Sequence, residues 1–174
     1  MKALATRARA LLIVLPAALL LAGCLGGVRL AETASSRPFL PEEFFAGTTQ
    51  GEGTLEKRFG ADRTFRVTGN GRQESGGTFV LDQTIVYADG AIEHRSFRLR
   101  RVNASEYTGT LTGASGAVSG RLDGHAFRVR YKMKRGMTLE QRIDLQADGR
   151  TALNRATVTW FRVPVARVSE TMTR

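Results

Sequence analysis

The sequence is poor in the residues that usually staple or catalyse. It has one cysteine, Cys24, one tryptophan, Trp160, two histidines, His94 and His125, and four prolines among 174 residues. A lone cysteine excludes an intramolecular disulfide and a thiolate metal site. Neither histidine has a cysteine, a second histidine or an acid at metal-ligand spacing, so both read as structural and no metal is expected. Ser115 lies in Gly113-Ala114-Ser115-Gly116-Ala117, which is not the Gly-x-Ser-x-Gly elbow of a serine hydrolase. The glycines from Gly109 to Gly120 lack the Lys-Ser/Thr ending of a phosphate-binding loop and read as a sharply curved strand pair. Asn103-Ala104-Ser105 matches a glycosylation triplet and reads more simply as a turn. No catalytic residue, metal or cofactor is therefore assigned, and the chain is not expected to be an enzyme.

What is present begins at the N-terminus. Lys2, Arg7 and Arg9 form a positive leader, Leu11 to Ala22 an apolar segment, and Leu21-Ala22-Gly23 precede Cys24, the layout of an export signal. The Leu21-to-Cys24 ending resembles the lipobox of bacterial lipoproteins. That resemblance implies lipidation of Cys24, removal of residues 1–23 and, with Leu25 rather than Asp after the cysteine, an outer-membrane anchor facing the periplasm. An uncleaved membrane anchor is the alternative, since residues 10–28 carry no charge, as is an ordinary secreted chain. The formal net charge is +10, mostly from Arg. A basic chain raises the question of nucleic acid, but export removes that partner and makes anionic lipid the likelier counter-charge.

Residues 24–37 are small, polar and aperiodic and read as a tether. Residues 38–174 read as one domain. Pro41-Glu42-Glu43-Phe44-Phe45 puts proline and acids where a first helical turn favours them, so one short helix is expected. Beyond it, apolar and polar residues alternate between Gly, Asp and Asn punctuation. The clearest strand is 126–135, with Phe127, Val129, Tyr131 and Met133 on one face and Arg128, Arg130, Lys132 and Lys134 on the other. Others are expected near 50–59, 63–73, 78–87, 91–102, 106–112, 117–122, 138–147, 151–160 and 163–172. The fold class is all-β, an antiparallel meander closed into a β-barrel of 8–10 strands, with a two-sheet sandwich as the runner-up. A three-residue loop Ala88-Asp89-Gly90, with Gly90 left-handed, pairs odd with odd positions, setting Leu81 opposite Phe97 and Gln83 opposite Arg95.

The residues also carry a family resemblance. Phe44-Phe45-Ala46-Gly47, Leu81-Asp82-Gln83, Tyr87-Ala88-Asp89-Gly90, Arg95-Ser96-Phe97, Tyr107-Thr108-Gly109 with Gly116 and Gly120, and Gly124-His125-Ala126 through Tyr131 follow one order and spacing. In these the chain resembles an uncharacterised family of proteobacterial lipoproteins, which implies a lipocalin-like barrel and no assigned activity. It departs from that pattern at Gln83, and at Thr112 and Gly113, where acids are expected. The Gly-x-Trp of true lipocalins is absent.

The interior is the candidate site. Apolar residues including Phe65, Val67, Phe79, Leu81, Ile85, Phe97 and Leu99 line it, with Tyr87 and Tyr131, and three polar residues break the lining: Gln83, Arg95 and Gln141. A buried Arg needs an anionic partner, and with Gln83 opposite, a ligand carboxylate or phosphate could be that partner; alternatively Arg95 reaches solvent at the rim. The first expectation is a membrane-anchored carrier of a lipid-like molecule, held by Arg95, Gln83, Gln141, Tyr87 and Tyr131. The second is a non-catalytic envelope component with a filled barrel, whose outer face, including Arg128, Arg130 and Lys132, meets headgroups or a protein. An enzyme acting on lipid comes last, for want of a positioned acid or base.

Overall fold

The computed structural model describes residues 34–174; the signal segment, Cys24 and most of the tether lie outside the described residues. After the short helix α1 (Pro41–Phe44) come β1 (Gly47–Lys57), β2 (Arg63–Gln73), β3 (Thr78–Tyr87), β4 (Ile92–Arg101), β5 (Glu106–Leu111), β6 (Val118–Asp123), β7 (Ala126–Lys132), β8 (Met137–Leu145), β9 (Thr151–Trp160) and β10 (Val163–Thr173). Each strand pairs antiparallel with the next, and β1 closes on β10 from Gln50↔Thr173 to Lys57↔Ala166. The result is a closed ten-strand meander, not a sandwich. Closure satisfies every strand edge, which an open sheet of this length would leave exposed.

The β3–β4 turn follows from its three residues. Gly90 takes φ 85°, its N–H donates to the Tyr87 carbonyl, and the pairs Leu81↔Phe97 and Gln83↔Arg95 form. The strand expected over 126–135 is shorter, because residues 134–136 make a 3-10 turn with Arg135 left-handed at φ 60°. The last strand carries a bulge between Pro164 and Ala166. Past it Val168 and Met172 face inward, one phase away from a simple count from Val163.

The two ends of the barrel differ. One is closed by the N-terminal segment: Phe39, Phe44 and Phe45 are 0%, 3% and 6% exposed, and the Phe39 ring stacks on Phe127 with centroids 6.0 Å apart. Pro41 at the first helical position and the Phe44 N–H bond to the Leu40 carbonyl set the single turn that delivers these rings. Tyr107 donates its hydroxyl to the Glu42 carboxylate at 2.9 Å, and the Arg174 guanidinium donates to the Glu43 carbonyl at 2.8 Å. Residues 34–37, expected within the tether, are held here too: Ala34 bridges Gln146, and the Ser35 N–H donates to the Leu145 carbonyl. The other end, formed by the β1–β2, β3–β4, β5–β6, β7–β8 and β9–β10 turns, has no such plug among the described residues. Among the described residues no helix is long and apolar enough to cross a membrane.

Candidate functional site

Between the plug and the open end the interior is hollow. Its apolar residues fall into two clusters, a large one around Phe39, Phe127 and Leu139 and a small one of Phe65, Val67 and Ile85 on β2 and β3. Both line a cavity of about 420 Å³, floored by Phe45, Phe79, Phe127 and Met172 and reaching Lys57 and Phe59 at the mouth. That volume is within the range of small-molecule sites. Inward glycines on β1 hold the walls back. A Cβ on Gly51 would overlap the Glu170 carboxylate, so glycine there gives that side chain its place inside.

All five residues expected at the site, Gln83, Arg95, Gln141, Tyr87 and Tyr131, line this cavity. Contrary to the expectation of an Arg95 left for a ligand anion, Arg95 has a protein counter-charge. Its guanidinium grips Glu93, two residues earlier on the same strand face, through Nε to Oε1 at 2.8 Å and Nη2 to Oε2 at 3.1 Å. Burial works against the Arg95 charge, but the Glu93 hydrogen bonds and charge, with Tyr131 and Tyr87, together outweigh it, and its pKa is raised while that of Glu93 is lowered. The Tyr87 hydroxyl donates to Glu93 Oε2 at 3.1 Å; burial first, then the Glu93 charge, push its pKa up. Arg63 stacks 3.7 Å above the Tyr87 ring and donates to Asp89 at 2.7 Å. A linked chain, Asp89–Arg63–Tyr87–Glu93–Arg95, thus runs beside the mouth with each charge facing an opposite one, while Arg63 Nε is left buried without a hydrogen-bond partner among the described residues.

The wall formed by β9 and β10 is different. Asn154 and Glu170 project into the same cavity, neither of them foreseen from the sequence. Asn154 Nδ2 donates to Glu170 Oε2 at 2.8 Å, leaving Glu170 Oε1 and Asn154 Oδ1 buried without a donor among the described residues. Burial raises the Glu170 pKa, against the opposing pull of the Asn154 hydrogen bond and the Arg95 charge. Two orphan acceptors side by side in an apolar cavity suit a neutral hydrogen-bond donor, such as a hydroxyl or amide, better than an anion. The signal for Glu170 was its place between Val168 and Met172, visible only once the bulge at 164–166 resets the alternation. Tyr131 adds a phenol whose pKa burial raises.

The remaining candidates lie outside the cavity. The His94 ring meets the Thr84 hydroxyl at 3.2 Å on the outer face, and His125 sits 3.5 Å from Asp144. Among the described residues no group of three His, Cys, Asp or Glu could hold a metal ion. Arg128 pairs with Asp123 at 2.9 Å and Arg130 with Glu140 at 3.3 Å. The strand registers also set Arg121, Arg128, Arg142 and Arg155 directly opposite one another across β6 to β9. No single segment of sequence displays that row.

Comparison with known proteins agrees with the barrel. Residues 18–174 match the model of a family described as Protein of unknown function (DUF3833). No curated protein matches the chain. Among solved structures it is similar to the S-type phycobiliprotein lyase CPES of Guillardia theta, with TM-score 0.61 at 8% identity over 76% of this chain and 89% of that one. It is also similar to a protein of unknown function of the DUF3598 family from Nostoc punctiforme, with TM-score 0.57 at 14% identity over 79% of this chain and 50% of the other. At such identities the likeness establishes the fold alone.

Proposed function

We propose that this chain, which belongs to the DUF3833 family of proteins of unknown function, binds one lipid-like small molecule inside its barrel. The cavity of about 420 Å³ carries the reading: it is apolar over most of its lining and has a few convergent polar groups, the composition expected of a small-molecule site. The apolar part of the ligand lies along Phe65, Val67, Ile85, Leu139 and Val158. Its polar end is neutral and donates hydrogen bonds to Glu170 and Asn154, with Gln83, Gln141 and Tyr131 within the same lining. An anionic headgroup on Arg95 is disfavoured, because Glu93 already holds that guanidinium.

The reading extends to the cell envelope through the N-terminal sequence. Lys2, Arg7, Arg9, the apolar segment and Leu21-Ala22-Gly23-Cys24 support a lipoprotein anchored through Cys24 in the outer membrane. Incorporation of labelled palmitate in a bacterial host, lost in Cys24→Ala, is the expected result. Native mass spectrometry of the chain purified in volatile buffer, with extraction of what it carries, tests the cargo. One apolar molecule per chain is expected, and a bare chain from several hosts contradicts it.

The row Arg121, Arg128, Arg142 and Arg155 favours a second reading, a docking face for an anionic protein or glycan. Like charges set directly opposite across strands are destabilising, and here Asp123 and Asp144 offset part of that repulsion. Crosslinking that recovers one partner on this face, together with an empty lipid extract, would favour it over the cargo reading.

A further inference from the structure

The open end of the barrel is built unlike any other surface of the molecule. Of the seven large hydrophobic residues exposed among the described residues, six are in its turns or the adjoining strand ends: Phe59, Val86, Ile92, Trp160, Phe161 and Val163. Phe59 and Phe161 are 77% and 75% exposed. Single exposed apolar residues need no explanation, but a contiguous group around a cavity mouth marks an interaction surface. Phe59, Trp160, Phe161 and Val163 form one continuous arc because β1, β10, β9 and β8 are neighbours in the barrel: the Arg58 N–H donates to the Val165 carbonyl, and Trp160 Nε1 donates to the Arg135 carbonyl at 3.1 Å. Trp160 and Phe161 meet edge to face with centroids 5.1 Å apart.

The backbone beneath these rings is strained. The β9–β10 turn has φ 45° at Phe161 and 68° at Arg162, and the neighbouring β7–β8 turn has φ 60° at Arg135. These are the only non-glycine residues with positive φ among the described residues. A two-residue hairpin that needs left-handed backbone at both positions ordinarily takes Asn-Gly, so Phe-Arg there is unfavourable for folding. Strain of this kind concentrates at functional positions.

Charge selects the partner. The turns of this arc carry Arg58, Lys134, Arg135 and Arg162 against one acid, Asp62, and none of the four cations is ion-paired among the described residues. A second copy meeting this rim face to face would set the same cations against each other. Exposed aromatic rings flanked by Arg and Lys match the region where acyl chains give way to anionic headgroups. We infer that the open rim docks onto an anionic lipid bilayer, with Phe59, Trp160 and Phe161 entering the headgroup layer and Arg58, Lys134, Arg135 and Arg162 lying on phosphates. The cavity mouth then faces the lipid. The inference stands on the rim alone and holds whether or not the cavity takes a cargo.

Trp160 is the only tryptophan, so its fluorescence reports on this rim and on no other part of the chain. That matters because the apolar N-terminal segment can bring the full chain to vesicles by itself. The test is Trp160 emission and its quenching by lipids brominated on the acyl chain, in vesicles of phosphatidylcholine with and without phosphatidylglycerol. The expected result is a blue shift and quenching on the anionic vesicles that salt reverses. Neutralising one rim cation, as in Arg58→Gln or Arg162→Gln, should weaken partitioning about fivefold, and Phe59→Ser with Phe161→Ser should abolish the quenching. The inference is overturned if wild-type Trp160 stays equally accessible to acrylamide with and without vesicles, even where the chain sediments with them. Quenching of equal strength on neutral vesicles overturns the anionic choice. Crosslinking of the rim to a protein, with Trp160 unquenched by lipid, overturns the bilayer as the partner.

Discussion

The two ends of the barrel use the same residue type in opposite ways. At the closed end Phe39, Phe44 and Phe45 are buried to 6% exposure or less, while at the open end Phe59 and Phe161 are at least 75% exposed. The closed end follows ordinary folding logic: a proline-initiated turn, a Tyr107–Glu42 hydrogen bond and stacked rings. The open end violates it, with left-handed non-glycine residues, unpaired cations and wet aromatics gathered in one arc. One end stabilises the barrel, and the other is kept for contact at a cost in stability.

The largest test of that contrast is a pair of truncations. Phe39→Ala should cost about 3–5 kcal/mol by denaturant unfolding. Phe59→Ala or Phe161→Ala should stay within about 0.5 kcal/mol, and a comparable loss at Phe59 would mean that the mouth is a packed end. Tyr107→Phe removes the half-buried hydrogen bond to the Glu42 carboxylate and should cost about 1.5–3 kcal/mol. It should also flatten the alkaline limb of stability. Burial, then the Glu42 hydrogen bond, raise the Tyr107 pKa, so the folded chain keeps a proton that the unfolded chain releases near pH 10. Its contribution is therefore whole below about pH 10 and is lost as the pH climbs beyond it. At the open end the sign reverses: Arg162→Gly should stabilise by about 1 kcal/mol by relieving the left-handed backbone, readable as a higher melting temperature.

Glu170→Gln should also stabilise, by about 1 kcal/mol at neutral pH, as the new amide donates to the orphan Asn154 oxygen. The raised Glu170 pKa makes the wild-type side chain most favourable below the unfolded value, about pH 4.3, and progressively less so as the pH rises through the folded value. The variant's advantage should accordingly shrink on acidification. Equal stability of the two proteins from acid to neutral pH would mean that Glu170 is solvated.

Sequence made the fold and half of the site legible, for reasons tied to particular residues. Alternation at Phe127, Val129 and Tyr131 shows a half-buried strand directly, and the three residues Ala88-Asp89-Gly90 fix the register that brings Gln83 to Arg95. The counter-charge of Arg95 is not visible from cross-strand pairing, which sets Gln83 opposite, because Glu93 lies two positions back along the same strand. Glu170 was missed because the bulge at Pro164 to Ala166 shifts the phase of β10, and a count from Val163 sends that side chain outward. The arginine row needs three inter-strand registers at once. Turn tips such as Phe161-Arg162 carry no periodic signal and break the composition rule for their own turn type, so only the backbone reveals them.

Binding requires an interior empty enough to hold a molecule. Titrating a fluorescent long-chain alcohol into the wild type and into Ala156→Trp, whose new ring would fill the space beside Gln141 and Val168, tests that most directly. A hollow barrel gives one saturable site per chain in the wild type and its loss in the variant, with both proteins folded. Equal binding by the two, or none by either, would contradict it.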